Sequence, residues 1–111
     1  MFYKKDNAGY HQPVKGVAMK TLVHGENSLC TEFHLEAGNV LPMHSHDQEQ
    51  TGYLISGSLL LTIGEETFSV EPGDSWCIPG NVVHGAQICS DAVAIEVFAP
   101  IRKDYLPSAS L

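Results

Sequence analysis

The sequence is poor in basic residues, and this shortage excludes two classes of partner. Six Lys and Arg residues stand against 13 Asp and Glu residues, which gives a formal net charge of −7 for 111 residues. Nucleic acids and anionic membranes bind basic surfaces, so neither is expected as the main partner. No apolar run approaches the length of a membrane span, and residues 1–13 lack the apolar core of a signal peptide.

Cysteine is also scarce and shows no pattern. The three cysteines are Cys30, Cys77 and Cys89, and no CxxC spacing occurs. An odd, unpatterned set predicts neither a disulfide framework nor a thiolate zinc site. We therefore expect reduced thiols and a cytoplasmic protein.

Helical periodicity is the third absence. Short segments of alternating apolar residues are instead separated by Gly, Pro, Asn and Asp at intervals of about eight to twelve residues, a spacing typical of a β-sandwich or barrel. The length suits one domain over residues 1–111, with a barrel over about 15–99 and a C-terminal arm over about 100–111. A hairpin is expected at Ser56-Gly57. The predicted strands cover residues 17–23, 29–35, 40–46, 50–55, 59–63, 67–70, 76–78, 82–88 and 92–98.

Two histidines stand two residues apart at positions 44 and 46. On an extended strand, His44 and His46 project to the same face, where two imidazoles could hold a divalent metal. A bare HxH fits a pair of surface histidines equally well. His84 ends a second segment, GDSWCIPGNVVH over residues 73–84, whose proline and glycines predict tight turns.

Together the two segments resemble the motifs of the cupin family. The positions that fall on the family pattern are Gly38, His44, His46 and Gly57 in the first motif, and Gly73, Pro79 and His84 in the second. Gln50 stands where the commonest cupins have glutamate, and Asn81 replaces a glycine. The resemblance implies an all-β cupin double-stranded β-helix, which is a jelly-roll barrel.

The resemblance also implies a metal site. Its ligands would be His44, His46, Gln50 and His84, and a slip of one position would make Glu49 the fourth ligand instead of Gln50. Three neutral imidazoles and an amide would leave the full charge on the metal and favour Lewis-acid chemistry. One divalent transition metal is expected, and Zn, Ni, Fe, Mn and Cu all suit such a donor set.

A narrower resemblance covers residues 81–86, NVVHGA, and residues 95–106, IEVFAPIRKDYL. Both segments are similar to the KdgF-type pectin-degradation cupins, which have an acid, an aromatic residue two positions later and an arginine four positions further on. Glu96, Phe98 and Arg102 fall on these positions, with glutamate where the family usually has aspartate. The resemblance implies conversion of 4,5-unsaturated monouronates, released from pectin or alginate, to linear 5-keto-4-deoxyuronate. Arg102 would hold the substrate carboxylate, Glu96 would shuttle a proton and Phe98 would pack on the sugar ring.

The residue pattern of the last strand is consistent with this role. Ala94, Glu96 and Phe98 share one face, where a small residue, an acid and a ring would line a cavity. A solvent-facing Glu96 on an edge strand and an ordinary surface Arg102 are the alternatives, and Trp76 is predicted to lie in the core. Two other functions remain open, namely a metal-dependent cupin dioxygenase and a non-catalytic cupin that binds a sugar or metabolite. The expected partners are a small acidic sugar and, by analogy, a second copy in a homodimer.

Overall fold

The computed structural model describes residues 1–107, which form a β-structure built almost entirely of antiparallel strands. The all-β prediction is confirmed. A short 3-10 helix, Lys103–Tyr105, follows the last strand. The strands of this part of the chain are β1 (His11–Val14), β2 (Val17–His24), β3 (Leu29–Leu35), β4 (Val40–His44), β5 (Glu49–Ile63), β6 (Glu66–Val70), β7 (Ser75–Ile78) and β8 (His84–Ala99).

Two long strands, β5 and β8, organise the sheet. They pair with each other along most of their length, and the hydrogen-bonded order is β1-β2-β3-β8-β5-β6, with β4 on β8 and β7 on β5. Strand β3 pairs with the second half of β8, whereas β4 pairs with its first half. This arrangement brings the end of β4 next to the start of β8.

The core follows from the alternation of side chains along each strand. In β3, Leu29, Thr31, Phe33 and Leu35 point inward and are buried, while the residues between them are more exposed. Burial of these apolar side chains is the main force that fixes the register of the strands. The buried apolar cluster consists of Val17, Met19, Leu29, Phe33, Leu35, Leu54, Leu59, Leu61, Val70, Ala86, Ile88, Ala92, Ala94 and Phe98.

The hairpin expected at Ser56-Gly57 is wrong. Strand β5 runs through this point without a break, and the register with β8 shifts between Leu54 and Leu59 instead. Gly57 has a φ of 85°, and a Cβ at this position would collide with the backbone of Asp91 and Ala92. A Ser-Gly pair can make a bulge as well as a turn, and a bulge bends a strand without ending it. The segments predicted at 82–88 and 92–98 likewise join into the single strand β8.

Other strand boundaries differ less. Strand β3 matches its predicted bounds, but β4 ends at His44, so His46 lies in the following loop and not on the same strand as expected. Strand β1 was missed because its sequence, HQPV, contains a proline and is exposed at every position.

The first part of the C-terminal arm packs on its own barrel. Ile101 and Tyr105 lie against the apolar core, and the backbone carbonyl of Tyr105 accepts a hydrogen bond from the Thr21 hydroxyl. The remainder of the predicted arm, residues 108–111, lies outside the described residues. Within residues 1–107, no helix is long and apolar enough to cross a membrane.

Candidate metal centre

Three histidines from distant parts of the sequence meet at one end of the sheet. His44 ends β4 and pairs with His84 at the start of β8, while His46 comes from the loop that leads into β5. Their potential ligand atoms all lie within 4.8 Å of one another. The ring centroids are 4.3 Å apart for His44 and His84, and 4.9 Å apart for His46 and His84. Such a spacing suits three ligands of one metal ion.

Backbone carbonyls fix the tautomer of all three rings. In each ring Nδ1 lies within hydrogen-bond distance of a carbonyl oxygen two residues away, and because a carbonyl only accepts, Nδ1 must carry the proton. Each Nε2 therefore keeps its lone pair, as a neutral metal-binding imidazole requires. The distances are 2.7 Å for His44 to Pro42, 3.1 Å for His46 to Gln48 and 2.8 Å for His84 to Val82.

Two features of the cluster fit a bound cation. His84 Nε2 is buried and has no hydrogen-bond partner among residues 1–107, which is costly for a polar atom. His46 Nε2 lies 3.0 Å from Gln50 Oε1, and with Nδ1 protonated both atoms are acceptors. Two lone pairs that face each other repel unless a cation binds them both. The donor set of imidazole nitrogens and one amide oxygen suits a divalent transition metal.

Burial keeps these imidazoles neutral. It lowers the pKa of His46 and of His84, and the positive charge of Arg102 acts in the same direction on both. Neutral rings are the ligand-competent form, so burial favours metal binding over protonation.

The turn before β8 ties the two histidine segments together. Asn81 has a φ of 66°, in the left-handed region that asparagine tolerates better than most residues, which explains how it replaces the glycine of the cupin motif. Its backbone N–H donates to the carbonyl of His46 over 2.7 Å. Gly80 lies so close to the carbonyl of Asp47 that a Cβ would collide with it. The turn therefore sets the position of His84 relative to His46.

Of the two candidates for the fourth ligand, the structure brings Gln50 to the histidines. Gln50 is 7% exposed and points inward from β5, while its neighbour Glu49 points to the opposite, exposed face. The alternation along the strand makes these positions mutually exclusive. The role of Gln50 as a ligand stays a prediction, and Glu49 lies away from the cluster.

Glu96 lies beside Gln50, on the same inward face. One of its oxygens, Oε1, accepts hydrogen bonds from the Gln50 amide and from the indole Nε1 of Trp76, the latter over 3.1 Å. Burial raises the pKa of Glu96, and the two hydrogen bonds and the nearby charge of Arg102 oppose this shift. The acid thus faces the interior and is not solvated on an edge strand.

Arg102 and Phe98 complete the surroundings of the cluster. The Arg102 guanidinium stacks on Tyr105 with Cζ 3.9 Å from the ring centroid, and Cζ lies 5.3 Å from the Phe98 ring centroid. Two of its N–H groups, on Nε and Nη2, donate to the carboxylate of Asp104 over 3.2 and 2.8 Å. Phe98 is 1% exposed and packs edge-on against His46, with 5.7 Å between centroids. Its contact with a sugar ring stays a prediction.

Three residues with a place in this site were not assigned to it from the sequence. Trp76 was expected only in the core, and Asp104 and Tyr105 were not singled out. The role of Trp76 depends on the strand register, in which it pairs with Gly52 and Gly52 pairs with Glu96, so the sequence carried no local signal for it. The acid and the ring that follow Arg102 in the sequence RKDYL are the signal for the other two.

Comparison with known proteins identifies the family. A family model described as a cupin domain matches residues 31–99, which is more than half of the chain. The chain belongs to the cupin family. The predicted jelly-roll fold is thereby confirmed, and the solved structure of a KdgF confirms the likeness to small cupins of that type.

Solved structures show the same architecture along nearly the whole cupin chain. KdgF from Halomonas sp. is 26% identical, with a TM-score of 0.89 and coverage of 96% of this chain and 100% of that one. An RmlC-like cupin from Shewanella frigidimarina is 21% identical, also with a TM-score of 0.89, and 95% of each chain is covered.

A curated relative from Bacillus subtilis, named H2HPP isomerase, is 31% identical over 83 residues. The match covers 74% of this cupin but only 35% of the relative, so the chain spans about a third of that protein's length. The homodimer and the cytoplasmic location expected from the sequence stay predictions.

Proposed function

We propose that this cupin is a metal-dependent enzyme that converts 4,5-unsaturated monouronates to linear 5-keto-4-deoxyuronate. The observation that carries the proposal is that a carboxylate and a guanidinium both border the histidine cluster. Glu96 reaches it through the Gln50 amide, which lies 3.0 Å from His46. Arg102 is connected to the histidine cluster through Phe98, whose ring lies under the guanidinium and packs edge-on against His46. An acidic sugar needs both groups, one to move a proton and one to bind its charge.

The reaction is an isomerisation and needs no co-substrate. The hydroxyl on C1 of the cyclic sugar loses its proton, the bond between C1 and the ring oxygen breaks, and C1 becomes a carbonyl carbon. The electron pair passes to the former ring oxygen, which is then the enolate oxygen on C5. Protonation of C4 gives the 5-keto product. One proton leaves an oxygen and one proton reaches a carbon, so a single acid–base residue suffices.

We assign both proton transfers to Glu96. Oε1 already accepts two hydrogen bonds from the protein, whereas Oε2 has no hydrogen-bond partner among residues 1–107 and is the oxygen that can exchange a proton with substrate. Burial raises the pKa of this carboxyl, which strengthens it as a base. The longer glutamate side chain occupies the position where the family usually has aspartate.

Arg102 is assigned to the substrate carboxylate. Asp104 uses two of the five guanidinium N–H donors, and the stack on Tyr105 holds the plane of the group. The remaining donors can bind a carboxylate and orient the sugar. Phe98 stabilises this arrangement, because its ring lies against both Arg102 and His46.

His44, His46, His84 and Gln50 would hold the metal, which would supply Lewis-acid stabilisation of negative charge on a substrate oxygen. The protein contributes neutral imidazoles with lone pairs on Nε2 and a carboxylate kept close to them.

The test is the ultraviolet absorbance of an unsaturated galacturonate mixed with the metal-loaded protein. We expect the absorbance of the conjugated double bond to fall faster than in buffer, and we expect a chelator to remove the effect. Glu96→Gln should abolish turnover while the metal stays bound. The proposal is overturned if the protein loaded in turn with Zn²⁺, Ni²⁺, Mn²⁺ and Fe²⁺ gives no acceleration.

A further inference from the structure

A chain of three polar side chains leads away from the histidine cluster. Trp76 Nε1 donates to Glu96 Oε1 over 3.1 Å, the Gln50 amide nitrogen donates to the same oxygen, and Gln50 Oε1 lies 3.0 Å from His46 Nε2. The strand register builds this chain, because Glu96 pairs with Gly52 and Gly52 pairs with Trp76. Gln50, Trp76 and Glu96 come from the inner faces of β5, β7 and β8, respectively.

Glu96 sets the direction of the hydrogen bonds, and Trp76 holds the oxygen that does so. An indole N–H only donates, so Glu96 Oε1 must accept. The same oxygen also accepts from Gln50, so the Gln50 amide must turn its nitrogen toward Glu96. The two ends of an amide have nearly the same shape, so packing alone would not choose between them. The indole N–H holds Glu96 Oε1 beside Gln50, and this acceptor oxygen makes the Gln50 oxygen face the histidines.

Gly52 makes room for the indole. A Cβ at position 52 would overlap the Trp76 ring, at the atoms Cε2, Nε1 and Cζ2. The absence of a side chain lets the ring lie across β5 and bring Nε1 to Glu96. The position of the Trp76 ring therefore depends on the absence of a side chain at Gly52.

We propose that Trp76 is a positioning residue that acts through Glu96 to hold the Gln50 amide oxygen toward His44, His46 and His84, and so determines the fourth donor of the metal centre. This gives Glu96 a second role, in which Oε1 orients Gln50 while Oε2 remains for proton transfer. The inference deepens the proposed function and rests on its metal site, but not on the uronate substrate.

The test uses Co²⁺ as the probe, measured by competition titration and by the visible absorption of the bound ion. Trp76→Phe keeps an aromatic ring but removes the N–H donor to Glu96. We therefore expect Co²⁺ affinity to fall by about tenfold, as when an outer partner of a metal ligand is lost, and we expect the visible spectrum to change. Glu96→Gln keeps an acceptor oxygen for both donors, and its affinity should stay within about threefold of wild type. Unfolding of the metal-free proteins and far-ultraviolet circular dichroism report on folding.

A double-mutant cycle separates positioning from a general structural effect. With Gln50→Leu the amide is gone, so adding Trp76→Phe should change Co²⁺ affinity by less than about twofold. Gly52→Ala, which displaces the ring by a different route, should resemble Trp76→Phe. Wild-type affinity and spectrum in Trp76→Phe, full additivity in the cycle, or an equal loss in Glu96→Gln would each overturn the inference. These experiments measure Co²⁺ binding and not turnover, so they are independent of the uronate assay. If the protein binds Co²⁺ as described but leaves unsaturated galacturonate unchanged, only the proposed uronate reaction is refuted.

Discussion

His44 and His84 occupy partner positions on β4 and β8, with their ring centroids 4.3 Å apart. Neither ring is free to turn, because each donates from Nδ1 to a backbone carbonyl. The pairing of two strands that are distant in the sequence therefore creates a preformed pair of candidate ligands. Metal affinity should depend on this pair even in the absence of substrate.

The first prediction concerns the loss of one ligand. His84→Ala removes the buried Nε2 that has no partner within residues 1–107. We expect metal affinity to fall by more than the factor of about 10 to 100 that follows loss of an outer partner. Isothermal titration with Zn²⁺ measures the change.

His34→Ala is the matched control for that experiment. His34 is exposed, hydrogen-bonded to Glu32 and outside the cluster, so Zn²⁺ binding should be unchanged. Equal affinities in the His84 variant and wild type would show that His84 is not a ligand.

The second prediction concerns the turn that carries His84. Asn81 has a φ of 66°, where a Cβ without a polar group is strained. Asn81→Ala should lower the free energy of unfolding by about 1 kcal/mol, while Asn81→Gly should be tolerated. Urea unfolding of the metal-free proteins tests this, and a stability order with alanine above glycine would contradict it.

The fold and the histidine cluster were largely predictable from the sequence, but for different reasons. Alternation along β3 fixes its face and its ends, since burial acts locally on each residue. The cluster of His44, His46 and His84 could be predicted because the cupin motifs are defined by the spacing of their residues along the sequence. Gly57 was misjudged because its backbone conformation suits a hairpin and a bulge equally, and only the pairing with β8 decides between them.

The contacts around Glu96 depend on a different kind of information. Trp76 donates to Glu96 only because β5 and β7 pair in a particular register, with Gly52 opposite Trp76. No short segment of sequence contains that relationship. Arg102 differs in this respect, because its partners Asp104 and Tyr105 lie within the same short segment, RKDYL.

The third prediction concerns the pH dependence of stability that Tyr10 and Glu32 produce on the outer face of the sheet. The Tyr10 hydroxyl donates to the Glu32 carboxylate, and this hydrogen bond, with burial and the charge of Glu32, raises the pKa of Tyr10 to about 12. A raised pKa in the folded state stabilises the protein below the unfolded value of about 10, and that contribution is lost as pH rises toward 12. The stability advantage of wild type over Tyr10→Phe should therefore be present at pH 8 and shrink above pH 10.

Two measurements check this pair. Urea unfolding at several pH values gives the stability difference, and ultraviolet titration of tyrosinate should show a late component that becomes smaller in Tyr10→Phe, with Tyr105, whose pKa is also raised by burial, contributing the remainder. Tyr3→Phe, at an exposed position, is the control and should keep that component. A titration in which the loss of Tyr10 removes only a component near pH 10 would contradict the assignment.

The last prediction concerns Arg102 and the proposed substrate. Arg102→Ala should raise KM for unsaturated galacturonate by about 10- to 100-fold, because a hydrogen bond to a charged group contributes about 1.5–3 kcal/mol. Turnover at saturation should change less, since the carboxylate is bound in both the ground state and the transition state. Arg102→Lys keeps the charge but loses the planar fork and the stack on Tyr105, so its KM should lie between those of wild type and Arg102→Ala. Lys103→Ala removes a neighbouring exposed cation and should leave KM unchanged, which separates a specific contact from the general charge of the segment. If Arg102→Ala and Lys103→Ala have the same KM, the substrate carboxylate is bound elsewhere.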